Sequence, residues 1–161
     1  MNTGGMIMEL QVTGKGNKYV ATDRNGKVLY SVRKKGFSSR YNLMDASNYY
    51  NLYTLVQTGD DKKPAFTIIL NDNVFLSMEC KSLFLDPTIV ARGKEFTFEL
   101  RSKDRKEFEI FRNGNSVGHI HTLSAVNGEF QYGIEIENTA FDDYIPLFAV
   151  AIDKAFGEMN K

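Results

Sequence analysis

The sequence predicts a mainly β protein, a closed antiparallel β-barrel of about twelve strands around a central, buried C-terminal α-helix. Three observations point there. Up to Ile136 the chain alternates apolar and polar residues with period two, in short runs separated by Gly, Asn and Asp. Near the C-terminus, the run from Leu147 to Ile152 carries no charge and no hydrogen-bonding side chain, so every face of a helix there is apolar. A bilayer span needs about 20 apolar residues, and Asp153 and Lys154 interrupt this run well short of that. Protein must therefore surround the helix, residues 144–157. About twelve strands in an open sheet would leave long unpaired edges, which closure removes. A barrel of about twelve strands has a bore too wide for its own side chains to fill. The helix needs a sleeve and the sleeve needs a plug.

The elements follow in order. Met6, Met8, Leu10 and Val12 share one face of a first strand, which Gly14-Lys15-Gly16-Asn17 breaks. Tyr19 to Thr22 and Lys27 to Lys34 flank Asp23-Arg24-Asn25-Gly26, and Asn-Gly between β-rich runs marks a hairpin. Tyr41 to Met44 and Tyr49 to Gln57 flank a second turn, Asp45 to Asn48. Gly59 to Pro64 is a polar loop, since strand pattern resumes at once. Ala65 to Leu70 and Val74 to Lys81 flank Asn71 to Asn73. Val74, Leu76, Met78 and Cys80 share a face there, which makes Cys80 a small core residue rather than a reactive thiol. Thr88 to Arg92 leads through Gly93 to Glu95–Leu100, with Phe96, Phe98 and Leu100 inward. Phe108 to Arg112 and Ser116 to Leu123 flank Asn113-Gly114-Asn115. A last strand, Glu129 to Ile136, puts Phe130, Tyr132, Ile134 and Ile136 on one side. Asp142 or Asp143 is placed to cap the helix, Pro146 suits its first turn, and Gly157 stands where a helix commonly stops.

A chain of 161 residues is the size of one domain, here 1–161. Twenty basic against twenty acidic residues give no net charge, which argues against nucleic acid as a partner. Cys80 is the single cysteine and has no internal disulfide partner. Met1 to Met8 has neither a basic n-region nor an unbroken apolar stretch, and no Asn-x-Ser/Thr sequon occurs. The expectation is a cytoplasmic protein with no transmembrane segment.

Several stretches carry a family resemblance: Tyr19 to Tyr30 with its Asp-Arg-Asn-Gly turn, Tyr41 to Leu55, Phe108 to Ile120, and the closing Leu147-Phe-Ala-Val-Ala-Ile-Asp-Lys-Ala155. In this order, with the apolar helix last, they resemble the tubby C-terminal-like superfamily, in the version seen in LURP-one-related and phospholipid scramblase proteins and in small bacterial relatives. The resemblance spans roughly Tyr19 to Phe156. It implies a twelve-stranded barrel threaded by its C-terminal helix. Tubby proteins bind phosphoinositides, but none of their headgroup lysines is matched to a position here, so the resemblance speaks for the fold more than for any lipid activity. The chain also lacks a cysteine cluster for acylation and an acidic loop of EF-hand spacing.

Three patterns invite chemistry. Gly114-Asn115-Ser116-Val117-Gly118 matches the G-x-S-x-G of a nucleophile elbow, yet an elbow needs a strand before the serine and a helix after it. Here a turn precedes Ser116 and strand pattern follows. His119 and His121 lie two apart on a strand, so both imidazoles face the same side and could share a metal ion. Arg33, Lys34 and Lys35, with Arg40 shortly after, form the densest basic cluster, and Lys62-Lys63 a second. Such a cluster can hold an anionic lipid headgroup. The reading these support is a non-enzymatic binding module, recognising an anionic membrane surface or a protein partner through the barrel exterior and needing no cofactor. The alternative is a metal-dependent enzyme or metal-binding protein using His119 and His121. A hydrophobic ligand inside the barrel is disfavoured, because the helix already occupies the bore.

Overall fold

The computed structural model describes residues 6–126 and 129–160, and the first five residues, weighed above for targeting features, lie outside that range. The described residues form β1 (Ile7–Lys15), β2 (Lys18–Thr22), β3 (Val28–Lys34), β4 (Arg40–Asp45), β5 (Asn51–Gln57), β6 (Ala65–Leu70), β7 (Asn73–Ser82), β8 (Thr88–Arg92), β9 (Thr97–Ser102), β10 (Glu107–Arg112), β11 (Asn115–Val126), β12 (Glu129–Glu137) and α1 (Pro146–Phe156). Every strand pairs antiparallel with its sequence neighbours. The barrel closes where β1 meets β12, from Ile7 opposite Glu137 to Lys15 opposite Glu129. The expected barrel and plug are both present. Alternate residues of each strand, such as Leu10 and Val12, Leu43, Phe66 and Ile68, and Ile134 and Ile136, point inward onto α1. Leu147 to Ile152 are each 0% exposed, so the helix is covered on every face.

Some expectations are corrected in detail. β7 was expected to place Val74 with Leu76 and Met78, but Val74 is 61% exposed. A bulge shifts the β6–β7 register between Ile68 and Ile69, and it sends Val74 outward. Phe75 packs instead against the rings of Tyr53, Phe96 and Tyr144. Tyr49 and Tyr50 are exposed turn residues, and β5 begins at Asn51. Met6 is also exposed, just before β1. The first strand does not break at Gly14. It runs on to Lys15, because a residue without a Cβ is what the Tyr19 ring requires opposite it. A Cβ on Gly14 would stand 2.4 Å from two carbons of that ring.

Neither Asp142 nor Asp143 caps α1. Ile145 occupies the capping position without a side-chain bond, and the first-turn amides of Leu147 and Phe148 donate to the carbonyls of Tyr144 and Ile145, both at 2.9 Å. The Asp143 carboxylate is engaged elsewhere, accepting from the Tyr30 hydroxyl. Pro146 sits in the first turn as expected.

At its far end α1 carries one buried carboxylate. Asp153 accepts from the Tyr19 hydroxyl at 2.5 Å and the Tyr132 hydroxyl at 2.8 Å. Burial pushes both phenols well above their ordinary range, and the adjacent Asp153 charge adds to it, so both keep their protons and donate. Gly157 does follow the last α-helical residue, but not in a left-handed turn, since its φ is −56°. It is there for room: a Cβ would stand 2.6 Å from Asp153 Oδ1. Asp153→Ala strands two buried hydroxyls and is expected to destabilise the fold by about 2–5 kcal/mol, read as a lower urea midpoint. Asp153→Asn keeps an acceptor oxygen and should lose less. An unchanged midpoint for Asp153→Ala would mean that this cluster does not hold the helix in place.

Candidate functional site

Because the meander is antiparallel throughout, turns after odd-numbered strands gather at one end of the barrel and turns after even-numbered strands at the other. Helix α1 enters at the even end and finishes at the odd end. There Lys154 Nζ reaches Asn17 Oδ1 at 3.2 Å, in the β1–β2 turn, and lies 5.2 Å from the Tyr41 ring. Burial lowers the affinity of Lys154 for its proton, with the Asp153 and Glu158 charges opposing the effect.

The odd end is rich in cations. Lys15 and Lys18 flank the first turn, Arg33, Lys34, Lys35 and Arg40 the second, Lys62 and Lys63 the third, and Lys103, Arg105 and Lys106 the fifth. Its carboxylates include Asp60 and Asp104, which serve their own turns. Asp60 accepts from the amides of Lys62 and Lys63, and Asp104 from those of Lys106 and Glu107, all at 2.9 Å. The even end carries Asp23, Asp45, Asp72, Asp142 and Asp143, with fewer cations beside them, among them Arg24, Lys27 and Lys94.

The structure brings Arg33, Lys34 and Lys35 together around one cleft of about 210 Å³, whose other walls are Asn42, Met44 and Asn48. Arg40 is not part of that cleft. It faces β5, opposite Val56, although its carbonyl accepts from the Lys35 amide at 2.8 Å and closes the turn. Strand alternation turns Arg33 outward, while Lys34 is half-buried. Among the described residues the ion pairs are Arg24 with Glu9, Lys81 with Glu79, Arg101 with Glu99, and His121 with Glu107 and Glu135. None of the four predicted cations spends its charge on a carboxylate.

The histidine pair is also where the sequence places it, but differently engaged. The rings of His119 and His121 stack at 5.9 Å on the outer wall. His121 Nδ1 contacts Glu107 at 2.5 Å and Nε2 contacts Glu135 at 2.8 Å, so both ring nitrogens are occupied. Among the described residues no group of three or more His, Cys, Asp or Glu side chains is arranged to hold a metal ion. An open hollow of about 530 Å³ lies beside the pair, walled in part by Arg101, Glu109 and Phe111. Ser116 sits at the start of β11 just after a turn, and its hydroxyl donates to Glu109 at 2.5 Å. That is turn then strand, not the strand then helix of a nucleophile elbow. Cys80 is half-buried, and burial raises its thiol above the ordinary range, which suppresses the thiolate.

A LURP-one-related family model matches residues 7–153. The chain belongs to the LURP-one-related family. An X-ray structure of a protein from Arabidopsis thaliana is similar, with a TM-score of 0.61 and 14% sequence identity, covering 96% of this chain and 92% of that one. At that identity the likeness shows the fold alone. No curated protein matches the sequence. Membership of the LURP-one-related family supports a tubby-like binding module, and the family is generally non-enzymatic. Among the described residues no helix is long and apolar enough to cross a membrane.

Sequence reasoning missed two features of this LURP-one-related barrel. One is Phe37, fully exposed inside the basic turn. Its signal was an aromatic residue standing in a Gly-Phe-Ser-Ser turn between cations. The other is the Glu107–His121–Glu135 clamp, which depends on the register of three strands. Partial burial works against a charge on His121, and the two carboxylates outweigh it, raising its pKa above the ordinary value. A raised folded pKa stabilises most below the unfolded value of about 6.5 and fades as pH rises through the folded one. The stability gap between wild type and His121→Gln is therefore expected to be wider at about pH 5.5 than at about pH 9, by less than about 1 kcal/mol for so exposed a group. Chemical denaturation at the two pH values measures it, and an equal gap would remove the clamp.

Proposed function

We propose that the whole chain, 1–161, acts as one non-enzymatic binding domain that recognises anionic lipid headgroups through its basic rim. Arg33, Lys34, Lys35 and Arg40 are the contacting cations. The observation that supports this most is the cleft that Arg33, Lys34 and Lys35 line, none of the three being paired with a carboxylate among the described residues. Cations on one rim that pair with no carboxylate among the described residues leave their charge to solvent, where an outside anion can take it up. Lys62 and Lys63 extend the same field along the rim. The reading fits a cytoplasmic protein, because the cytoplasmic leaflet carries anionic lipid and each nearby Lys or Arg is worth about 1 kcal/mol there. A protein with an acidic surface is the competing partner.

Vesicle flotation separates the two. The protein is expected to float with phosphatidylserine-containing vesicles and not with pure phosphatidylcholine, and to be released as salt rises. Arg33→Ala with Lys35→Ala should weaken binding about 30-fold, at about 1 kcal/mol per cation. Equal recovery on neutral and anionic vesicles, or none on either, would sink the headgroup reading.

A further inference from the structure

The basic rim also displays side chains that a headgroup does not explain. Phe37 is fully exposed at the tip of the β3–β4 turn, and Phe84 and Leu85 are exposed in the β7–β8 loop of the same end. Both segments are held in shape rather than loose. The Ser38 amide donates to the Lys35 carbonyl at 3.1 Å and its hydroxyl to the same carbonyl at 2.5 Å, with Gly36 at a φ of 55°. In the other loop the Ser82 hydroxyl donates to the Leu85 carbonyl at 2.6 Å, and the Arg105 guanidinium lies 6.0 Å from the Phe84 ring.

The two tips belong to one arc. The β5–β6 loop between them is joined to the first at its root, where the amide of Gln57, the last residue of β5, donates to the Ser39 carbonyl at 2.9 Å. It joins the second through a cleft of about 540 Å³ that has Lys62, Lys63 and Phe84 among its walls. Running along the rim, the order is cations with Phe37, then Lys62 and Lys63, then Phe84 and Leu85. We propose that this arc docks onto an anionic bilayer, with Phe37, Phe84 and Leu85 entering the boundary between headgroups and acyl chains while the flanking cations stay at the phosphates. The barrel then stands end-on, with the finish of α1 toward the lipid.

Charge and spacing favour a bilayer over a protein as the occupant. Four strand spacings separate the two tips, about 19 Å along the wall at about 4.8 Å each. A protein interface gathers its apolar anchors into one contiguous, desolvated patch. Here charged lysines interrupt them. A bilayer takes separate apolar points without a matching shape, and its interface favours aromatic rings beside Lys and Arg.

The inference rests on the headgroup reading, and the experiment tells the two apart. The chain has no tryptophan, so Phe37→Trp and Phe84→Trp each supply a single fluorophore. Tyr49→Trp, at the exposed opposite end, is the control. On phosphatidylserine-containing vesicles the two rim variants should shift their emission to the blue and be quenched by acyl-brominated lipid, while the control should not. Phe37→Ser and Phe84→Ser should each lower the partition coefficient about tenfold, with far-UV circular dichroism unchanged. If the wild type does not float with anionic vesicles, the headgroup reading falls and takes this one with it. Flotation with no emission shift at either rim position overturns insertion and leaves headgroup contact standing. A shift in the Tyr49→Trp control overturns the orientation. Rim emission that ignores vesicles but shifts with a lipid-depleted protein extract assigns the tips to a protein and overturns the proposal.

Discussion

A helix that is apolar on every face has to be surrounded, and most of this molecule follows from that requirement. Burying one large apolar side chain is worth about 1.5–3 kcal/mol, and α1 turns Leu147, Phe148, Val150, Ile152 and Phe156 in several directions at once. A flat sheet would cover one side of it. Closure of β1 onto β12 covers all of them and also removes the edges of a long meander. Two requirements are met by one arrangement, which is why the fold leaves few local choices free.

Among the described residues, polar side-chain contacts to the plug and its entry lie at its two ends. At the entry, Tyr30 engages Asp143 and the Tyr144 ring sits among Tyr53, Phe75, Phe96 and Phe98. At the exit, Asp153 holds Tyr19 and Tyr132. Two glycines exist for that second contact: Gly14 gives the Tyr19 ring its place, and Gly157 gives the carboxylate its place. The polar pairs add direction to a packing that apolar contact alone would leave free to slide, because a buried hydroxyl without its acceptor is costly.

Period-two alternation and Asn or Asp turns made the strands, their order and the plug legible in the sequence, since both signals are local. What was not legible depends on neighbours. Alternation puts Val74 inside, and only the bulge across from Ile68 and Ile69 turns it out. Asp143 reads as a helix cap because its partner, Tyr30, lies far away in sequence. The basic residues of the β3–β4 turn were visible as a run, and the structure adds that three of them line one cleft while Arg40 does not. His119 and His121 do share a face, but whether their nitrogens are open to a metal depends on Glu107 and Glu135, which come from two other strands.

With the bore filled by α1, the surface left to solvent is the outside, and the outside is not uniform. In a closed antiparallel meander each turn is committed to one end by the parity of the strand before it. The Arg33 to Arg40 turn and the Lys62-Lys63 loop therefore fall on the same rim, while Asp142 and Asp143 precede the helix on the other. The helix dipole runs the same way. Its positive end lies at the rim that holds Asp142 and Asp143, and its negative end at the rim that holds Lys154 and the basic turns. The polarity of the ends thus suits the plug before any ligand arrives. Lys154, half-buried at the exit, is the cation spent on this internal role, reaching Asn17 and lying over the Tyr19 and Tyr41 rings. Arg33, Lys35 and Arg40 are exposed, and among the described residues none of them pairs with a carboxylate.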